Sequence, residues 1–145
     1  MSIYYDSSFL VTLYLPEPLS AKARELVDRE GKALLVNRLQ ELELRNAVRQ
    51  KAWRGDIDAG TAFACLRIFD DDCIGGRIRR RSLPWDAVFE MAETLSQRLA
   101  LSSQCRAFDV LHVATAVVSN VTSFATFDAS QASLAAAARL EVIVL

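Results

Sequence analysis

The sequence has little that would build a disulfide framework or a zinc site. It contains 3 cysteines and 1 histidine in 145 residues. Cys65, Cys73 and Cys105 are odd in number, widely spaced and outside any CxxC or Cys/His cluster, which argues against both kinds of site. This cysteine usage is typical of the reducing cytoplasm.

Long apolar runs and an excess of basic charge are also missing. No apolar run approaches the roughly 18–20 residues of a membrane span, and the first residues lack the basic segment of a signal peptide. We therefore expect a soluble, cytoplasmic protein without a membrane partner. The formal net charge is -1, so any contact with nucleic acid must be local rather than driven by a global positive field.

The residues that are present suit one globular domain. Hydrophobic residues make up 52% of the chain, and a chain of this length buries about 68–70% of the surface that its unfolded form exposes. No low-complexity linker or repeat divides the pattern. The sequence therefore predicts a single domain over residues 1–145.

Strand-like and helix-like segments alternate along the chain. Strands are predicted at 3–5, 33–36, 123–126 and 141–144, an ambiguous extended segment at 78–83, and helices at 7–14, 20–30, 38–54, 58–69, 84–100, 108–118 and 130–138. This alternation predicts an α/β fold in which helices sandwich a mainly parallel sheet. Ligands of such sheets bind beyond the carboxyl ends of the strands.

Two aspartates fall at predicted strand ends. Asp6 closes the first strand, and Asp128 follows the segment 123–127. Each could also be a turn residue or a helix N-cap, because aspartate is common in both places. Taken singly, the cap interpretation is favoured.

Glu43 is more informative, because it lies on a different stripe of its helix from Glu41. Glu41 has Arg45 four residues on and is expected to form a solvent-face ion pair with it. Glu43 has Leu39 four residues before it and Ala47 four after it, so it projects from a largely apolar face. A carboxylate there needs a partner, which could be a metal ion, an arginine from elsewhere, or solvent if the helix rolls outward.

Asp109 is predicted in the first turn of a nearly all-apolar helix. The helix dipole stabilises an aspartate at this position, so a structural role alone could explain it. His112 lies one turn further along the same face. We expect it to be a neutral, hydrogen-bonded core histidine rather than a catalytic one.

Four carboxylates without histidine or cysteine ligands describe a site of hard oxygen donors. Such a site suits Mg²⁺ or Mn²⁺ rather than Zn²⁺. The chemistry that most needs it is phosphodiester hydrolysis, where the metal neutralises phosphate charge and lowers the pKa of a bound water. The acids therefore indicate a nuclease.

Four segments resemble the motifs of PIN-domain ribonucleases in order and spacing. They are residues 4–11 with Asp6, 43–48 with Glu43, 106–116 with Asp109 and 124–128 with Asp128. The resemblance covers essentially the whole chain and is closest to the VapC toxins of toxin–antitoxin pairs.

That resemblance carries expectations about fold and function. It implies a three-layer α/β/α sandwich with a sheet of about five strands, and a Mg²⁺- or Mn²⁺-dependent endoribonuclease. The four acids inherit the catalytic and metal-binding roles, and Ser7 and Thr126 are expected to assist by hydrogen bonding. It further implies an RNA substrate, a cognate antitoxin and a homodimer.

Other functions fit the sequence less well. A receiver domain would want a late-strand lysine, but the lysines are Lys22, Lys32 and Lys51, and a haloacid-type phosphatase would want an aspartate where Ser8 stands. A silent PIN-fold module that binds RNA or protein has no need of four converging carboxylates. A general RNA-processing nuclease remains an alternative to a toxin.

Two charged stretches lie outside the motif set. Residues 70–76 are interpreted as a solvated helix end and a glycine turn, because they lack the ligand pattern of an EF-hand. Arg77, Arg79, Arg80 and Arg81 could form a phosphate-binding rim. Alternation in an extended segment places Arg79 and Arg81 opposite Arg80, which favours a split surface segment over one RNA patch.

Overall fold

The computed structural model describes residues 2–143 and 145, within which seven helices and five short strands alternate. In chain order they are β1 (Ile3–Tyr5), α1 (Ser7–Tyr14), α2 (Ser20–Glu30), β2 (Leu34–Val36), α3 (Arg38–Trp53), α4 (Ala59–Ile74), β3 (Ile78–Arg80), α5 (Trp85–Leu99), α6 (Ala107–Val118), β4 (Ser123–Ala125), α7 (Ala129–Ala137) and β5 (Glu141–Ile143). Every predicted element is present. Of the last predicted strand, residue 144 lies outside the described residues.

The observed end of α4 differs from the predicted one. The sequence predicts its end at Phe69, but the helix continues to Ile74. The predicted solvation of this end is confirmed, because residues 70, 71 and 74–76 are exposed, although Tyr14 donates a hydrogen bond of 2.7 Å to Asp72. The glycine turn is confirmed at Gly76, whose φ of 79° favours glycine. No helix in the described part of the chain is long and apolar enough to cross a bilayer.

All strand pairings of the described residues are parallel. One ladder has the order β1-β4-β5 and the other pairs β2 with β3. Tyr5 lies opposite Ala125, and Val36 lies opposite Arg80. The predicted α/β class, the number of strands and their parallel direction are confirmed.

The chain divides into two compact units. The terminal unit comprises Met1–Asp6 and Leu83–Leu145, and the middle unit comprises Ser7–Ser82. Three of the four candidate acids belong to the terminal unit, and Glu43 belongs to the middle unit. That both units form one domain stays a prediction.

The core of the terminal unit is built by α5, α6 and the strands β1 and β4. Val88, Ala92 and Leu95 follow helical spacing and form the buried face of α5. Tyr4 of β1 stacks on Phe124 of β4 with ring centroids 5.3 Å apart. As predicted from its apolar sequence, α6 is largely buried, and this packing fixes its first turn, where Asp109 lies.

In the middle unit, a capping box fixes the start of α3. The Asn37 side chain accepts from the Gln40 amide at 3.0 Å, and the Gln40 side chain accepts from the Asn37 amide at 2.8 Å. These bonds satisfy amide groups that the first helical turn leaves without partners. Leu44 and Val48 are fully buried, so the rotation of α3 and the positions of its two glutamates are set.

Candidate functional site

The carboxyl ends of β1 and β4 lie side by side in the terminal unit. The two strands are parallel neighbours, and the backbone amide of Asp6 donates to the carbonyl of Ala125 at 3.1 Å. The residue after β1 and the residues after β4 are therefore at the same edge of the ladder. This is the edge where α/β proteins bind ligands.

Thr126 joins two of the candidate acids. Its hydroxyl donates to Oδ2 of Asp6 at 2.5 Å and accepts from the backbone amide of Asp128 at 2.9 Å. Asp6 is 4% exposed and Thr126 is buried as well. A charge-assisted hydrogen bond in a buried place holds the Asp6 carboxylate in one orientation.

Asp128 is the N-cap of α7. Its Oδ1 accepts from the amides of Ser130 at 2.8 Å and Gln131 at 3.1 Å. The helix-cap interpretation of this aspartate therefore holds for one carboxylate oxygen. The other oxygen, Oδ2, is 3.8 Å from Nη2 of Arg106.

Arg106 also contacts Asp109, so one guanidinium group reaches two of the acids. Its Nε donates to Oδ2 of Asp109 at 3.1 Å. Arg106 is the residue that precedes α6, and Asp109 lies in the first turn, as predicted. The buried side chain of Gln131 donates to the Asp109 carbonyl at 3.2 Å and so ties α7 to α6.

Sequence reasoning missed the roles of Arg106 and Gln131. The i,i+3 spacing of Arg106 and Asp109 is a signal that could have found the first contact. No local pattern reveals that Gln131 or Asp128 would approach the same helix. Those contacts depend on how α6 and α7 pack.

His112 is a hydrogen-bonded core histidine, as the sequence predicts. It is 3% exposed, and its Nδ1 lies 2.8 Å from the hydroxyl of Tyr4, which is also buried. The pair lies within the core beneath the first turn of α6 and supports the position of that helix against β1.

The ion pair of Glu41 and Arg45 is confirmed, but its predicted place on the solvent face is wrong. The Glu41 side chain is 12% exposed, and both Arg45 and Arg80 donate to it, each at 3.0 Å for the Nη2 atom. Arg45 also reaches Asp70 at 2.6 Å. These hydrogen bonds, with Arg80 contributing most, lower the pKa of Glu41 to about 2. Arg80, on β3, therefore belongs to this charged cluster of the middle unit.

Glu43 and Ser7 belong to the middle unit. Glu43 is half-buried and its Oε1 atom is inaccessible to solvent, which fits the predicted position on an apolar stripe of α3. Leu39 and Leu44 beside it are buried. Ser7 is buried at the start of α1. Their roles at a metal site stay predictions.

The donor types of the candidate site fit a hard divalent cation, because the carboxylates supply oxygen alone. Within residues 2–143 and 145, however, no three histidine, cysteine, aspartate or glutamate side chains are gathered closely enough to hold a metal ion. In the terminal unit the carboxylates contact protein groups instead. Asp6 accepts from Thr126, and Asp109 and Asp128 face Arg106.

Comparison with known proteins decides the family. The sequence model of the PIN domain matches residues 3–137. The chain belongs to the PIN domain family. PIN domains are generally nucleases, and they generally use divalent metal ions.

A solved structure shows the same fold. This PIN domain is similar to the structure described as FitAcB from Neisseria gonorrhoeae, with a TM-score of 0.64 over 98% of this chain and 96% of that chain. The sequence identity is 19%, so this likeness concerns the fold alone. A search of curated proteins gave no match.

Proposed function

We propose that this chain is a metal-dependent endoribonuclease that hydrolyses RNA phosphodiester bonds and acts as the toxin of a VapBC-type toxin–antitoxin pair. Membership of the PIN family supports a nuclease, and the resemblance of the four motifs to VapC proteins supports RNA cleavage and a toxin role. The observation that carries the proposal is the continuous set of contacts from Asp6 through Thr126 and Asp128 to Arg106 and Asp109.

The proposed ligands of the metal are Asp6, Asp109 and Asp128 of the terminal unit and Glu43 of α3. The ion is Mg²⁺ or Mn²⁺, because all donors are carboxylate oxygens. When bound, it would neutralise phosphate charge and lower the pKa of a water molecule.

The protein's own contribution is to hold these carboxylates in fixed orientations. Thr126 orients Asp6 by its short hydrogen bond. The amides at the start of α7 hold one oxygen of Asp128, while the other lies 3.8 Å from Nη2 of Arg106. Arg106, which precedes α6, holds one oxygen of Asp109. Because these contacts precede substrate binding, little reorganisation is needed at the moment of reaction.

The decisive experiment is cleavage of a labelled single-stranded RNA with added Mg²⁺, Mn²⁺, Zn²⁺ or EDTA. We expect cleavage with Mg²⁺ or Mn²⁺ and none with Zn²⁺ or EDTA. Undiminished cleavage in EDTA would contradict a metal-dependent mechanism. Mn²⁺ should also raise the melting temperature, since a ligand that binds the native state stabilises it. A silent binding module would show no cleavage under any of these conditions.

The toxin role needs its own measurements. We expect expression of the chain alone in the cytoplasm of a bacterium to arrest growth, and co-expression of a small antitoxin from the adjacent gene to relieve the arrest. A general RNA-processing nuclease would cleave RNA in vitro without needing such a partner. The homodimer is checked by light scattering after size exclusion, where a mass of one chain would contradict it.

A further inference from the structure

Arg106 is a cation placed at a site that is proposed to bind a different cation. Its guanidinium lies 3.1 Å from Oδ2 of Asp109 and 3.8 Å from Oδ2 of Asp128. Its side chain is 72% exposed, whereas the Asp109 and Asp128 side chains are 18% and 36% exposed. A flexible surface arginine thus reaches inward to two less exposed carboxylates.

Both carboxylates lie near Arg106, at the starts of two helices that a hydrogen bond ties together. Asp109 lies in the first turn of α6, Asp128 caps α7, and Gln131 links the helices through the Asp109 carbonyl. Two like charges held in one place raise each other's energy, and a positive group beside them lowers it. Arg106 is the positive group beside Asp109 and Asp128.

The contact is too weak to be a structural clamp. Exposed ion pairs change an equilibrium by no more than about fivefold, because solvent screens them and both side chains lose conformational entropy. A divalent cation carries twice the charge and binds carboxylate oxygens directly. Separating the guanidinium from these carboxylates therefore costs little.

We propose that Arg106 is an internal counter-ion of Asp109 and Asp128 which a divalent metal ion displaces, and that the released guanidinium then binds a phosphate of the RNA. This rests on the proposed function. The planar fork of arginine matches phosphate oxygens as well as carboxylate oxygens, so the same group can serve both states. Arg106 is thus a substrate-binding residue that exchanges partners when the metal is bound.

The test measures Mn²⁺ affinity by calorimetry for the wild type and for Arg106→Ala, Arg106→Lys and Arg54→Ala. Arg54 forms an exposed pair with Asp56 at 3.1 Å and is the matched control. We expect Arg106→Ala to bind Mn²⁺ about two- to fivefold more tightly, because its competitor is gone. Arg106→Lys, which keeps the charge, should lie near the wild type, and Arg54→Ala should equal it.

A second readout moves in the opposite direction. At saturating Mn²⁺, Arg106→Ala should raise the KM for a single-stranded RNA about tenfold, as expected for the loss of one charge-assisted hydrogen bond. An arginine with a merely structural role would not, when replaced, give tighter Mn²⁺ binding together with a higher KM for RNA.

The outcomes separate this proposal from the proposed function. If the wild type binds Mn²⁺ and cleaves RNA but Arg106→Ala binds Mn²⁺ equally or more weakly, the counter-ion role is overturned and the nuclease stands. If the KM does not rise, the phosphate role is overturned. A wild type that neither binds Mn²⁺ nor cleaves RNA would overturn both proposals.

Discussion

Two clusters of charged residues, one in each unit, differ in the number of arginines that contact their carboxylates. In the middle unit, Glu41 alone accepts four hydrogen bonds from the guanidinium groups of Arg45 and Arg80. In the terminal unit, Asp109 and Asp128 share the single guanidinium of Arg106. The first cluster has two arginines for the two carboxylates of Glu41 and Asp70, whereas in the second two carboxylates share one arginine.

The ratio of arginine to carboxylate separates a structural cluster from a candidate binding site. Glu41 could bind a metal only by giving up hydrogen bonds from two arginines, and its lowered pKa shows how strongly they favour the ionised side chain. Asp109 and Asp128 keep an excess of negative charge beside one exposed arginine. The proposed cation would therefore displace fewer hydrogen bonds in the terminal unit than at Glu41.

The largest expected effect contrasts Asp109→Asn with Glu41→Gln in RNA cleavage. If the excess charge of the terminal cluster serves catalysis, Asp109→Asn should lower kcat/KM by at least about 10²-fold, because transition-state charge stabilisation is lost. Glu41→Gln should leave it within about twofold of the wild type when measured below its melting temperature, where the fold is intact. Equal losses of kcat/KM in both variants would show that the two clusters do not differ in their importance for cleavage.

Glu43→Gln sharpens the contrast on a single helix, two residues from Glu41. We expect cleavage to fall by about 10²-fold, as for a ligand of the metal. The metal-free melting temperature should stay the same or rise, since removing a charge from an acidic cluster reduces repulsion. Normal cleavage by this variant would show that the remaining acid of the site lies elsewhere.

Glu41→Gln should instead lower the stability of the protein. Because its side chain is mostly buried and accepts from two arginines, we expect the free energy of unfolding at pH 7 to fall by about 1–2 kcal/mol. The melting temperature should drop by about 3–8 °C. Denaturant unfolding and calorimetry measure both. A loss below about 0.5 kcal/mol would show that Glu41 contributes no more to stability than an exposed ion pair does.

The lowered pKa of Glu41 predicts that the stability of the protein depends on pH. Its pKa is about 2 in the folded protein, against an ordinary value of 4.5. A lowered pKa contributes stability that is fully present above pH 4.5 and is lost as the pH falls towards 2. The stability difference between wild type and Glu41→Gln should therefore shrink over that window. A difference that stays constant from pH 7 to pH 2 would contradict the lowered pKa.

The smallest effect is expected at the exposed pair of Arg54 and Asp56. Both side chains are about half exposed, so Asp56→Asn should change the free energy of unfolding by less than about 0.5 kcal/mol. It should not alter RNA cleavage or Mn²⁺ affinity. A larger loss of stability would show that the exposed fraction of a side chain does not predict how much its ion pair contributes to stability.

Local pattern made much of the fold predictable. Apolar spacing located all the helices, and short apolar runs between turn residues located the strands. The same patterns placed Asp6 and Asp128 beyond strand ends and Asp109 in a first helical turn. They misplaced the end of α4, because the contact of Asp72 with Tyr14 joins residues 58 positions apart.

The sequence by itself determined the order of the elements, the α/β class and the acids that resemble the PIN motifs, because each depends on spacing within a few turns or on residue type. Tertiary structure decided which side chain each acid contacts. Arg80 reaches Glu41 across 39 positions, Thr126 reaches Asp6 across 120, and Arg106 reaches both Asp109 and Asp128. Except for Arg106 with Asp109, these partners are neighbours only after strands pair and helix ends pack, since no periodicity within one element brings them together.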